Sequence, residues 1–264
     1  MKDNLNDMVT KQGNDDPLRE LALFAGAGGG ILGGKLLGWR TICAVERDAH
    51  ASQVLAQRQN DGILEPFPIW SDVSTFDGKP WRGIVDIVSG GFPCQGISVA
   101  GKGNGLEDDR SGLWSEMQRI ISEVRPRLVF LENSPAITYR GGVRVIEDLT
   151  RLGYDCKWGV IGADACGLDH HRARFWMVAN RKEKHGNSWN LLEKGAFKTQ
   201  GKFRRIPGSK ISEDWRKSYQ GSISVNIFRD PSDGLAADVD ELAELGNGQV
   251  PIVAATAFNI LNNL

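Results

Sequence analysis

No stretch of the chain reaches the roughly eighteen consecutive apolar residues of a membrane helix, and the polar opening MKDNLNDMVTKQGNDDPLRE lacks the apolar core of a secretory leader. These absences set the expectation of a soluble, cytoplasmic protein with no membrane partner. Neither sign of charge dominates: 32 Lys and Arg face 33 Asp and Glu, a net charge of −1, so any affinity for a polyanion must be local. Cysteine is scarce, and positions 43, 94, 156 and 166 follow no pattern that would staple a small secreted scaffold. Cys156, Cys166, His170 and His171 match no compact zinc-ligand spacing, so no metal is expected. With 264 residues, 41% hydrophobic and 25% charged, the chain is neither disordered nor fibrous, and it can bury one large core with a small appendage.

Residues 1–17 read as a disordered tail, because they lack periodicity and end in Asn14-Asp15-Asp16-Pro17. From Leu18 short apolar runs alternate with helical-period segments. Strands are expected at Leu21–Phe24, Thr41–Val45, Ile69–Trp70, Val85–Ser89 and Leu128–Leu131. Helices are expected at Ile31–Leu37, Ala49–Gln57, Gly112–Val124 and Val143–Leu152. This β-α alternation predicts an α/β fold with a mostly parallel sheet and helices on both faces. Cys156–Ile161 and Phe175–Ala179 have no helix between them and read as an antiparallel pair finishing the sheet.

After Asn180 the texture changes. Residues 181–219 hold eleven Lys or Arg against four acids, a local +7 that leaves about −8 for the rest of the molecule. An acidic stretch from Asp230 to Glu244 separates this segment from a last apolar helix, Val250–Leu261, which needs the main core to bury against. The organisation expected is a large domain of residues 18–180 plus 246–264 and a small basic region, 181–245.

Leu21-Ala-Leu-Phe24 runs into Ala25-Gly-Ala-Gly-Gly-Gly30 and then a helix, and a strand, glycine turn and helix start is where open α/β sheets bind nucleotides. Gly28, Gly30 and Gly33 fit the dinucleotide spacing, and no Gly-Lys-Ser/Thr follows to make a P-loop. Glu46 ends the second strand where an acid takes ribose hydroxyls. Asp72 follows the third strand, where it could accept from an adenine amino group, with Trp70 nearby for the ring. Adenosine is the expected bound half of the ligand. The fourth strand delivers Gly90-Gly-Phe-Pro-Cys94-Gln95 to the same edge of the sheet, which makes Cys94 a candidate thiolate nucleophile. Glu132 and Asn133 end the next long strand. A partly desolvated Glu132 has a raised pKa and can donate a proton into the same pocket.

These residues resemble the cytosine-5 DNA methyltransferases. Phe24, Ala25, Gly26, Ala27, Gly28 and Gly29 look like the family's S-adenosylmethionine motif, Gly90–Gln95 like its nucleophile motif, Glu132-Asn133 like its acid motif, and Arg172-Ala-Arg174 like its arginine pair. Gly246-Asn-Gly-Gln-Val-Pro251 looks like its C-terminal motif. Five motifs in the family's order are far more specific than any one of them. Ser134-Pro135 after the acid motif, His170 before the arginines and Gly248-Gln249 depart from the usual pattern and resemble a phage and prophage branch. The basic region is shorter than in typical members.

The resemblance implies a Rossmann-like methyltransferase fold with a small target-recognition domain, acting as a monomer on double-stranded DNA in the cytoplasm of a bacterial or phage-infected cell. It implies S-adenosylmethionine as methyl donor, with S-adenosylhomocysteine as product, held by the glycine turn, Glu46, Arg47, Asp72, Val73, Asn247 and Val250. Catalysis falls to Cys94, Glu132, Arg172 and Arg174, with Pro93 and Gln95 shaping the nucleophile turn. Ser98, Arg110, Lys202, Arg204 and Arg205 are the expected DNA contacts. Cytosine C5 is too weak a nucleophile unaided, so Cys94 adds to C6 of a base flipped from the duplex. Two rivals are weighed beside it. An NAD-dependent oxidoreductase would use the glycine spacing and Glu46 but leaves Phe-Pro-Cys-Gln, Glu132-Asn133 and the basic segment unexplained. A catalytically dead DNA-binding relative would not need the glycine turn, Cys94 and Glu132 all intact.

Overall fold

The computed structural model describes residues 16–93, 112–139, 141–168, 172–182 and 248–263. Among them run strands β1 (Arg19–Leu23), β2 (Arg40–Val45), β3 (Ile69–Trp70), β4 (Ile87–Gly90), β5 (Leu128–Asn133), β6 (Tyr154–Ile161) and β7 (Arg174–Arg181). The helices are α1 (Gly29–Leu36), α2 (Ala49–Asn60), α3 (Gly112–Val124), α4 (Gly142–Arg151) and, numbered here as the fifth, α5 (Pro251–Asn263). The strands form one sheet in the order β3-β2-β1-β4-β5-β7-β6. The first five are parallel to one another, and β7 runs antiparallel to both β5 and β6.

The interior strands are apolar at nearly every position because both faces of the sheet are covered. On one face the odd-numbered side chains Leu21, Leu23, Val129, Leu131, Phe175 and Met177 share a core with α3 and α4. The apolar residues of α3 recur at helical spacing, Trp114, Met117, Ile120, Ile121 and Val124, so one stripe meets the sheet. On the other face the even-numbered Leu128, Phe130, Trp176 and Val178 meet α5. Phe130 stacks on Trp176 at 5.4 Å between ring centres and meets Phe258 of α5 edge-on at 5.4 Å. The C-terminal helix thus buries against the large domain, as its apolar sequence requires.

The expected strands and helices all form, with β3 and α3 beginning and ending at the residues expected. The antiparallel pair does finish the sheet, with β7 inserted between β5 and β6 and β6 outermost. The fully buried Met177, Val178 and Ala179 of β7 suit an interior strand, whereas β6 exposes Trp158 and Val160. The basic region beyond Lys182 and the tail before Asp16 lie outside the described residues. Among the described residues no helix is long and apolar enough to cross a membrane.

Sequence reading did not single out Glu20. It is 1% exposed, and its two carboxyl oxygens accept hydrogen bonds from Thr41 Oγ1 and Ser89 Oγ, both at 2.6 Å, so it links β1 to both neighbouring strands. Burial pushes its carboxyl up to about 7, against the opposing pull of the Ser89 and Thr41 hydroxyls. The folded protein therefore binds a proton that the unfolded chain releases near pH 4.5. That stabilisation is complete below the unfolded pKa and is lost as pH rises through the folded one. Glu20→Gln keeps the shape but cannot ionise. It is expected to remove a slope of about 1.4 kcal/mol per pH unit from the stability curve between these pKa values, read from urea denaturation at a series of pH values. An unchanged slope would show that Glu20 titrates normally.

Candidate functional site

The carboxyl ends of β1, β2, β4 and β5 meet at one edge of the sheet, and β7 enters from that same edge. At the end of β1 the backbone turns sharply: Phe24, Gly26 and Gly28 all have positive φ, at 52°, 53° and 89°. A left-handed Phe is costly, and such strain persists where the surroundings fix it, often at ligand sites. One of those surroundings is Glu46, at the end of β2. Its Oε2 accepts from Gly26 N at 2.6 Å and its Oε1 from Asp48 N at 2.7 Å, so the carboxylate braces the turn and the approach to α2. Each oxygen keeps a further lone pair for a ligand hydroxyl. Arg58 of α2 adds a hydrogen bond to the carbonyl of Ala27. A side chain built on Gly26 would meet nothing within 4 Å, so the turn opens onto free space.

Asp72 follows β3 and caps the short 3-10 turn Val73–Thr75, its Oδ1 accepting from Ser74 N at 2.9 Å and Ser74 Oγ at 2.8 Å. These hydrogen bonds, helped by the nearby Arg47 cation, hold its carboxyl below the ordinary range. Arg119 of α3 fixes the turn from beneath, donating to the carbonyls of Val73 at 2.9 Å and Phe76 at 2.9 Å. The Val73 side chain itself is buried in the core. Trp70 is half exposed, with its Nε1 donating to Thr75 Oγ1 at 3.0 Å. An open, strained glycine turn with two carboxylates at the ends of adjacent strands fits a nucleoside with a positively charged tail. Phe24–Gly29, Glu46, Arg47 and Asp72 are the residues that would hold S-adenosylmethionine.

The acid motif lies at the end of β5, on the same edge of the sheet. Glu132, at the end of β5, is 9% exposed, and burial pushes its carboxyl up to about 7 against the opposing pull of Arg174 and then Arg172. Arg174 Nε lies 3.0 Å from Glu132 Oε1. Arg172 Nη2 donates to the carbonyl of Gly248 at 2.6 Å and so ties the entry of β7 to the segment leading into α5. The arginine pair is therefore bound up with the acid and the C-terminal motif. Asn133 Nδ2 donates to the carbonyl of Phe92 at 2.9 Å, which joins the acid motif to the nucleophile turn. Phe92 packs its ring on Trp114 at 5.1 Å, and Trp114 Nε1 donates to Asp148 Oδ2 at 2.9 Å. Pro93 is exposed at the end of this anchored stretch. Cys94, Gln95, Ser98, Arg110, Lys202, Arg204, Arg205 and Asn247 lie outside the described residues. The thiols of Cys43, Cys156 and Cys166 are pushed by burial up to about 12, 12 and 11, which disqualifies them as nucleophiles at neutral pH.

Sequence reading noted Gln249 only as a departure from the usual motif, yet it joins the two halves. A Cβ on Gly29 would stand 2.1 Å from the Gln249 carbonyl oxygen, and one on Gly30 2.6 Å from its Oε1. One on Gly91 would stand 2.6 Å from Glu132 Oε2 and 3.2 Å from Gln249 Nε2. Gly33 likewise abuts Ala254 of α5. The glycine run that mimics a dinucleotide fingerprint is thus needed to let the C-terminal segment lie against α1. Val250 leads into α5, where its carbonyl accepts from Val253 N and Ala254 N, both at 3.0 Å, and it packs against the core.

A family model for the C-5 cytosine-specific DNA methylases matches residues 18–230. The chain belongs to this family. It is 34% identical over 167 residues to the type II methyltransferase M.CviJI of Paramecium bursaria Chlorella virus IL3A, covering 62% of this chain and 44% of that protein. It is 37% identical over 169 residues to M.Eco47II of Escherichia coli, covering 62% and 39%. These matches span less than half of each relative. The Entamoeba histolytica methyltransferase EhMeth shares the fold, with a TM-score of 0.61 and 17% identity over 94% of this chain and 98% of that one. The dinucleotide oxidoreductase alternative finds no support in these matches.

Arg174→Gln removes the cation nearest Glu132. The carboxyl is then expected to titrate higher still, seen by carbon-13 NMR of labelled glutamate as a midpoint shifted to higher pH. A midpoint that stayed put or fell would mean that Arg174 does not set the acid's protonation.

Proposed function

We propose that this chain is a DNA (cytosine-5-)-methyltransferase that transfers a methyl group from S-adenosylmethionine to C5 of a cytosine flipped out of duplex DNA. The observation that carries the reading is the buried Glu132, held between two arginines at a pKa near neutrality and tied through Asn133 to the turn that leads into Cys94. S-adenosylmethionine supplies an electrophilic methyl group.

In this reading Cys94, as thiolate, forms a bond to C6 of the cytosine, and the electron pair of the C5–C6 double bond moves into the ring toward N3. Glu132 is protonated in a useful fraction at neutral pH, and it gives N3 the hydrogen bond or proton that stabilises this charge. Arg174 keeps the Glu132 carboxyl oriented. C5 then takes the methyl group, and the electron pair of the broken carbon–sulfur bond leaves with S-adenosylhomocysteine. Loss of the C5 proton to a base and expulsion of the Cys94 thiolate restore the double bond and leave 5-methylcytosine.

Residues 181–245 serve as the target-recognition region and residues 18–180 with 246–264 as the catalytic domain, preceded by a tail. Lys202, Arg204 and Arg205, beside Phe203, supply phosphate contacts, and Ser98 and Arg110, which follow the nucleophile in sequence, add further DNA contacts. One chain carries both the cofactor and the nucleophile motifs, so it works as a cytoplasmic monomer, in the manner of a restriction-modification or phage enzyme.

The test is transfer of labelled methyl groups to mixed-sequence duplex DNA, with bisulfite sequencing of the product. Wild type is expected to label cytosines at a defined sequence, Cys94→Ser to be inactive, and Glu132→Gln to be slowed about 10²- to 10⁴-fold with S-adenosylmethionine still bound. Transfer by Cys94→Ser at the wild-type rate would refute the covalent route. DNA affinity is expected to fall steeply between low and moderate salt, and a flat salt response in a filter-binding assay would remove the phosphate role of the basic segment.

A further inference from the structure

At the edge of the sheet opposite Glu132, where β1, β4 and β5 begin and β7 ends, lies an open cleft of about 540 Å³. Arg82, Arg125, Arg127 and Arg181 line it, and Asp86 is the one carboxylate among its lining residues. That carboxylate is already engaged: Arg19 donates to its Oδ2 from the backbone N and from Nε, both at 2.9 Å, and Arg19 Nη2 reaches its Oδ1 at 3.3 Å.

Three of the four arginines are held in place by neutral acceptors. Arg82 Nε donates to the carbonyl of Glu123 at 2.8 Å, Arg125 Nη1 to that of Leu152 at 2.8 Å, and Arg181 Nη1 to the carbonyl of Arg125. Arg127 Nε is buried with no hydrogen-bond partner among the described residues. The acids nearby are spoken for, since Glu123 pairs with Arg119 and Asp155 with Lys182. Carbonyls fix the direction of a guanidinium without cancelling its charge, so the cleft keeps a surplus of positive charge on pre-oriented forks. Arg125 also has a φ of 54°, at the end of α3 where glycine is the usual residue.

We propose that this cleft is a second ligand site, distinct from the methyl-transfer pocket, that binds a phosphate group through Arg82, Arg125, Arg127 and Arg181. Planar guanidinium forks match phosphate oxygens in pairs, and the volume suits anything from inorganic phosphate to a mononucleotide. The same chemistry could be presented by a free phosphate, a nucleotide or the backbone of a nucleic acid, and the site stands whether or not the proposed methyl transfer does.

The full chain is titrated calorimetrically with inorganic phosphate, with uridine 5′-monophosphate and with a duplex of alternating dA and dT, which offers no cytosine. Each titration is repeated on Arg127→Gln and on Arg82→Gln, the latter an exposed position whose replacement leaves the core intact. Wild type is expected to bind at least one of the three, and both variants to bind it at least tenfold more weakly while retaining wild-type affinity for S-adenosylmethionine. Should Arg127→Gln fail to fold, the Arg82→Gln comparison decides alone. The ligand whose affinity falls identifies the source of the phosphate. No binding of any of the three at millimolar concentration, or binding equally tight in wild type and the folded variants, overturns the proposal.

Discussion

The antiparallel pairing of β7 against β5 is the constraint on which the site depends. The register sets Glu132 opposite Trp176 and Asn133 opposite Phe175, so Arg174 and Arg172 follow at once beyond the end of the buried carboxyl's strand. Alternation along β7 sends Phe175 and Met177 to one core and Trp176 and Val178 to the other. A slip of one residue would reverse both assignments and carry Arg174 away from Glu132. The packing of the two cores therefore holds the ion pair in place, and the pair itself needs no great strength.

A carboxyl taken from water resists ionisation, and two adjacent cations oppose that tendency. The balance leaves Glu132 near 7, where it can both hold a proton and release it. Glu20 reaches a similar value by the same route, burial, with the Ser89 and Thr41 hydroxyls opposing it where Glu132 has two cations. A raised carboxyl pKa therefore does not by itself mark a functional group. Glu20 is walled in between strands, while Glu132 stands against Gly91 of the nucleophile motif, where a Cβ would come within 2.6 Å of its Oε2.

Much of this was legible in the sequence, and what escaped was non-local. Apolar runs and helical periodicity located the strands and helices because both are set by neighbours along the chain. Positions such as Glu46, Asp72 and Glu132 were legible because strand ends at one edge of a parallel sheet converge. The place of β7 between β5 and β6 was not legible, since strand order depends on which faces must be buried. Nor was the part played by Gln249, whose contacts with Gly29, Gly30 and Gly91 come from segments more than 150 residues away in the chain. The glycine spacing read as a nucleotide fingerprint answers partly to that close approach and partly to the turn.

The contact between Phe92 and Trp114 has a consequence for how such a chain can vary. Phe92 follows β4 and Trp114 lies on α3, and Trp114 Nε1 is tied in turn to Asp148 of α4. A smaller ring at either position opens space between the sheet and both helices at once, so Phe92, Trp114 and Asp148 are expected to vary as a set and not singly.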